Sequence, residues 1–248
     1  MNVELQKNIN LFQKERCIPV KITTIITSYN HEKYIRQAID SAINQKGDFV
    51  HEIIISDDGS SDRTPDIISA YANHYPDLIK NISQNKNVGI SENMKKCFDN
   101  ATGDFIAILE GDDYWTANLK LQKQLDFLDK HHECIMVFSK LMVLDDEKQT
   151  TWFVRFQDQL PSVLDGNDFL NYNNMSIIIN FSCCMFRKEG LTDLLYKMTA
   201  DGNYSYDESF SDAKCLQKKS AIENIIFSLR YLFRKSELSG STIYIYKL

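Results

Sequence analysis

Short apolar runs rich in β-branched residues recur through the first 145 positions, and most of them stop abruptly at a polar turn. Residues 20–27 form the first such run and lead into Ser28-Tyr29-Asn30, which predicts a buried strand ending in a turn. Tyr34, Ile35, Ala38, Ile39, Ala42 and Ile43 then follow helical spacing. A second run at 51–56 ends at Asp57-Asp58-Gly59. Thr64-Pro65-Asp66 reads as an N-cap, a proline in the first turn and a favourable acid, opening a helix that carries Ile67, Ile68 and Tyr71. A short strand is expected at 79–83, a helix at 89–100, a strong strand at 105–109, an amphipathic helix at 119–130 and strand-like composition at 134–144. Strands alternating with helices predict a mostly parallel sheet covered on both faces. Polar turns at the carboxyl ends of three strands are where open α/β sheets bind ligands.

Past residue 145 the periodicity weakens. A strand is expected at 181–187 and a helix at 213–235. One side of that helix would carry Ile222, Ile225, Ile226, Leu229, Leu232 and Phe233, with Arg230, Arg234 and Lys235 nearby. Such a helix packs on the domain, or else lies at a membrane surface or binds a partner.

The 248-residue chain has the apolar and charged content of an ordinary globular protein, and its net charge of -6 argues against nucleic acid as a partner. No apolar run approaches the roughly 20 residues that span a bilayer, and no signal-peptide core is visible near Met1, so a cytoplasmic location is expected. The six cysteines form no CxxC pair and are expected as free thiols.

The chemistry gathers at the strand ends. Glu110-Gly111-Asp112-Asp113 places three carboxylates within four positions, a set that repels itself unless a cation sits among them. A hard divalent ion, Mg²⁺ or Mn²⁺, suits such oxygen donors, and a solvated acidic turn is the other reading. Asp57-Asp58-Gly59-Ser60-Ser61-Asp62 is either a plain turn into the next helix or a place where a carboxylate accepts the N3 hydrogen of a uracil-like base. No glycine-rich phosphate loop and no nucleophile elbow occurs.

In order, Thr27-Ser28-Tyr29-Asn30, Asp57 to Asp62, Asn87-Val88-Gly89 with Asn93, and Glu110-Gly111-Asp112-Asp113-Tyr114-Trp115 closely resemble the family 2 glycosyltransferases of GT-A fold, over residues 21–144. The resemblance implies a Rossmann-like α/β domain at 20–145, a lead segment at 1–19, and an acceptor-side, C-terminal helical extension at 146–248. It implies inverting transfer from a nucleotide diphosphate sugar to a glycan or lipid-linked acceptor. Thr27 and Asp58 match the positions that contact the nucleobase, Tyr29 and Asn30 join them among the nucleotide-binding residues, and Asn87, Gly89 and Asn93 match a segment that either lies beside the nucleotide or shapes that loop structurally. Asp112 and Asp113 match the acidic motif at ribose and metal, with Glu110 where the family more often has Asp.

The family takes its catalytic base from a later acid. Asp201, Asp207, Glu208 and Asp212 are the candidates here, and Asp207 is preferred because Tyr204 and Tyr206 could shape an acceptor pocket. No histidine follows His132, so the His-containing loop that often closes the donor site is missing. That departure keeps open a catalytically impaired protein that binds a nucleotide or a partner. The resemblance also leaves room for peripheral contact with the inner membrane face through the tail helix.

Overall fold

The computed structural model describes residues 19–132, 134, 136–145, 148–153, 180–188 and 244–245. Four parallel strands, β1 (Lys21–Ser28), β2 (Val50–Asp57), β3 (Ile79–Asn81) and β4 (Phe105–Glu110), are joined by helices α1 (Ile35–Ile43), α2 (Thr64–His74) and α3 (Ile90–Asn100). Helix α4 (Lys120–Lys130) follows β4, and the short strand β5 (Met136–Phe138) follows α4. β5 does not pair with β4. The strand β8 (Cys184–Arg187) lies between them, antiparallel to both, and completes a six-stranded sheet of order β3-β2-β1-β4-β8-β5. A smaller antiparallel sheet joins β6 (Leu141–Asp145) to β7 (Thr150–Phe153) and to β9 (Tyr244–Ile245).

The period of two in the strands sorts the core into two layers. Ile22 and Ile26 of β1, Ile53 and Ile55 of β2, and Ala107 and Leu109 of β4 face α1, α2 and α4. Ile25, Ile54, Ile106 and Ile108, the alternate positions, face α3 together with Phe181, Cys183, Cys184 and Phe186. A strand buried at successive positions must be covered on both sides, and these three are.

Several local expectations change in detail. The strand-like stretch at 134–144 is two strands in two sheets, β5 and β6. The expected strand at 181–187 begins as a one-turn 3-10 helix, Phe181–Cys183. Thr64 opens α2 with Pro65 behind it, but its side chain makes no cap bond within the helix. Its hydroxyl accepts the backbone N–H of His31 at 2.9 Å, while Asp62 accepts the N–H of Thr64. The cap is replaced by a tie between the β1–α1 and β2–α2 loops. Cys97, Cys134, Cys183 and Cys184 are free thiols, and no helix of the described residues is long and apolar enough to cross a membrane. The helix expected at 213–235 lies outside the described residues.

His51, near the start of β2, has its Nε2 2.8 Å from the Thr24 hydroxyl, and burial pushes its pKa from 6.5 down to about 4, against an opposing pull from Glu52. The fold therefore favours neutral imidazole. Its contribution to stability is complete above about pH 6.5 and is lost progressively as pH falls from there to about 4, where the folded state also takes up the proton and the loss levels off. We expect urea midpoints measured between pH 7.5 and 4.5 to record a loss of about 2 kcal/mol from this group. His51→Leu should flatten that part of the profile, and an unchanged slope in the variant would contradict the assignment.

Candidate active site

Parallel pairing places the ends of β1, β2 and β4 level with one another. Ser28 lies opposite Asp57, and Thr27 lies opposite Glu110. Just beyond, Asp58 N–H donates to the Ser28 carbonyl at 2.9 Å and Gly111 N–H to the Thr27 carbonyl at 2.8 Å. Thr27 is thus placed in the site by its main chain. Gly111 is required here, because a Cβ would come within 2.8 Å of His31 Nδ1 and 2.9 Å of the Thr27 carbonyl.

Glu110, Asp112 and Asp113 each offer a carboxylate oxygen, and these atoms lie within 4.8 Å of one another. Asp113 is buried. Burial, followed by repulsion from Asp112, pushes Glu110 up to about 8. Burial, Asp112 and Glu110 push Asp113 well above the usual carboxylate range, against hydrogen bonds from Ser182 and Asn180. His31 Nε2 stands 3.8 Å from Asp112 Oδ2. Three hard oxygen donors converging in a half-buried place carry more negative charge than the surroundings balance. A proton or a small divalent cation relieves that, so the donor set fits Mg²⁺ or Mn²⁺.

On the β2 side the carboxylate of Asp58 is buried and already engaged. Oδ1 accepts Gln84 Nε2 at 2.6 Å and Val88 N–H at 2.9 Å, and Oδ2 accepts Gly89 N–H at 3.0 Å. Asp58 therefore holds the loop before α3 against the end of β2. Asn87 helps by accepting the same Gly89 N–H at 3.0 Å, and Gly89 has φ +89°, a conformation that side-chain-bearing residues rarely adopt. Asn93 is held in the core by Ser56. It is buried, accepts the Ser56 hydroxyl at 2.5 Å and donates to the Ser56 carbonyl at 3.1 Å, which docks α3 on β2.

Asn30 sits at φ +56° in the β1–α1 turn. Its N–H donates to Ser60 Oγ at 2.7 Å and its side-chain oxygen accepts Ser61 N–H at 2.9 Å, so it spans the two loops. Tyr29 beside it is exposed, leaving an aromatic face at the rim. Next to these loops a cavity of about 350 Å³ is lined by uncharged polar groups that include Ser60, Asn81, Gln84 and Asn85.

Trp115 is core rather than rim. It is buried, its Nε1–H donates to the Ser182 carbonyl at 2.7 Å, and the ammonium of the buried Lys120 lies 4.3 Å over its ring. Burial brings the Lys120 pKa down to about 8. The sequence reading missed Asn180 and Ser182, which both bond Asp113. The only trace of them in the sequence is a polar pair just ahead of an apolar run. Asp201, Asp207, Glu208 and Asp212 lie outside the described residues.

The fold is an open α/β sheet with an acidic cluster at the carboxyl ends of its central strands, the place where sheets of this class take their ligands. The sequence pattern of Glycosyl transferase family 2 matches residues 23–195, and the chain belongs to that family. An uncharacterized protein of Mycobacterium tuberculosis is 42% identical over 126 residues, which is 51% of this chain and 36% of that protein. The minor teichoic acid biosynthesis protein GgaA of Bacillus subtilis is 38% identical over 118 residues, 46% of this chain and 26% of its own. The chain thus spans about a third or less of the length of these two relatives. Among solved structures, residues 1–349 of S. aureus TarS superpose with a TM-score of 0.50 at 24% identity, covering 70% of this chain and 49% of that one. That likeness concerns the fold, which is GT-A.

Two outcomes are expected of these groups. Asp113→Asn removes one of the crowded charges, so in EDTA its melting temperature at pH 8 should rise above that of the parent, while the parent but not the variant gains stability when Mn²⁺ is added. A parent melting curve indifferent to Mn²⁺ would count against the metal. Asp58→Asn turns an acceptor into a donor facing two N–H groups. It should cost about 1–3 kcal/mol of stability and speed amide exchange at Val88 and Gly89, and unchanged exchange there would refute the loop role.

Proposed function

We propose that this chain is an inverting glycosyltransferase that moves a sugar from a nucleotide diphosphate sugar, a UDP-sugar by preference, to a glycan or lipid-linked acceptor in surface polysaccharide biosynthesis. The observation that carries the reading is the convergence of Glu110, Asp112 and Asp113 at the end of β4, level with Thr27 and Asp58 on its neighbours. Family membership supports the reaction class, and the teichoic acid role in the name of GgaA supports the kind of product.

In this reading Tyr29 stacks against the base while Asp58 and the 84–89 loop form its edge. Asp112 faces the ribose, and Asp113 with Glu110 faces the diphosphate. A divalent cation held there offsets the charge of the leaving diphosphate. A carboxylate on the acceptor side, Asp207 by preference over Asp201, Glu208 and Asp212, takes the acceptor hydroxyl proton as its oxygen bonds to the anomeric carbon. The bond from that carbon to the diphosphate oxygen breaks on the opposite side, which inverts the centre. An amphipathic tail at 222–233 fits peripheral contact with the inner face of a membrane bearing a lipid-linked acceptor.

The test measures UDP binding by calorimetry and the hydrolysis or transfer of UDP-sugars, with Mn²⁺ and with EDTA. Metal-dependent turnover is expected, with Asp207→Ala slower by about 10²–10⁴-fold and UDP affinity unchanged. Binding without turnover, for every sugar tried, would favour a nucleotide-binding protein that has lost catalysis. Equal UDP affinity with and without Mn²⁺ would remove the metal from the proposal, and full activity in Asp207→Ala would move the base to one of the other three acids.

A further inference from the structure

We infer that Asn180 and Ser182 are positioning residues for Asp113, fixing which of its two oxygens is offered to the cation; this rests on the reading of the acidic cluster as a metal site. Both donors converge on one atom. Asn180 Nδ2 reaches Asp113 Oδ2 at 2.8 Å and Ser182 Oγ reaches the same oxygen at 2.5 Å. Among the described residues no donor meets Oδ1. One oxygen of the carboxylate is saturated and the other is left for a ligand, so Asp113 binds through a single oxygen.

Each rotor in the arrangement is determined by a second bond. The Ser182 hydroxyl accepts Glu110 N–H at 2.9 Å, so its own proton is directed at Asp113. The side-chain oxygen of Asn180 accepts Ser182 N–H at 2.6 Å, which turns the amide nitrogen toward Asp113. The Ser182 carbonyl takes the Trp115 indole N–H at 2.7 Å, anchoring the turn to the far end of the acidic loop. The short turn Phe181–Cys183 thus grips the loop at Glu110, Asp113 and Trp115, and all of its residues are buried. Partners that orient a ligand and supply hydrogen bonds to its charged form raise metal affinity by holding the carboxylate in the geometry the ion needs.

The test titrates Mn²⁺ alone into the full chain, read by calorimetry and by the Mn²⁺ electron paramagnetic resonance spectrum, for the parent, Ser182→Ala, Asn180→Asp and Ser182→Thr. Melting in EDTA is recorded beside each titration. Ser182→Ala and Asn180→Asp should bind Mn²⁺ about 10–100-fold more weakly, with an altered spectrum. Ser182→Thr, which keeps the hydroxyl, should restore both. A role confined to holding the fold together would lower melting temperatures and leave the affinity and the spectrum of the folded protein unchanged, and that result overturns the inference. Should a variant unfold without metal, its folded fraction measured against both Mn²⁺ and urea separates the folding free energy from the affinity, and a parent-like affinity likewise overturns it. A parent that binds no Mn²⁺ removes the reading of the cluster itself, which separates that failure from failure of the positioning role.

Discussion

Two backbone hydrogen bonds at the end of β1, from Gly111 to the Thr27 carbonyl and from Asp58 to the Ser28 carbonyl, govern the placement of the chemistry. They exist because β1 pairs in parallel with both neighbours, so that three chains leave the sheet at one height and in one direction. A one-residue slip of β4 would turn its alternate apolar residues to the wrong layer and carry the acidic loop away from His31 and Thr27. The two core layers are thus what protects the site's geometry. Ile106 and Ile108 cannot leave α3, nor Ala107 and Leu109 the opposite layer, without exposing apolar surface.

Charge is concentrated where that framework is stiffest. Crowded, half-buried carboxylates work against the stability of the metal-free fold, and the surroundings counter this with directed donors. Behind Asp113 the packing is dense and polar at once: Ser182 and Asn180 on one element, Trp115 on the loop, and Lys120 above the indole with its ammonium donating to Gln124 at 2.8 Å. Gln124 in turn donates to the Cys183 carbonyl at 2.7 Å, which closes the circuit back to the same turn. A buried network in which each donor has a partner favours one arrangement of its members.

The β2 side is built differently. There the 84–89 loop is held by the Asp58 carboxylate and by Asn87, with Asn93 docking the helix behind it. Residues that resemble ligand-contacting positions of the family thus also perform structural work. For Asn93 the structure shows only the docking contacts with Ser56. For Asp58 the two roles are compatible, since a carboxylate that accepts three bonds retains acceptor capacity.

What the sequence determined by itself is what local periodicity and turn chemistry determine. The strands at 20–27, 51–56 and 105–109, the helices between them and the acidic cluster were legible, because each depends on neighbours within a few positions. The gathering of Glu110, Asp112 and Asp113 was legible for the same reason: four adjacent positions need no fold to bring them near each other. The tertiary structure alone decided that β8 enters the sheet between β4 and β5, and hence that Asn180 and Ser182 meet an aspartate some seventy positions earlier. It also gave the Thr64 hydroxyl to His31 instead of to its own helix, and Asn93 to Ser56 in the core. Strand order and side-chain partnership across such distances are set by which surfaces can be buried together, and no window of neighbouring residues contains that information.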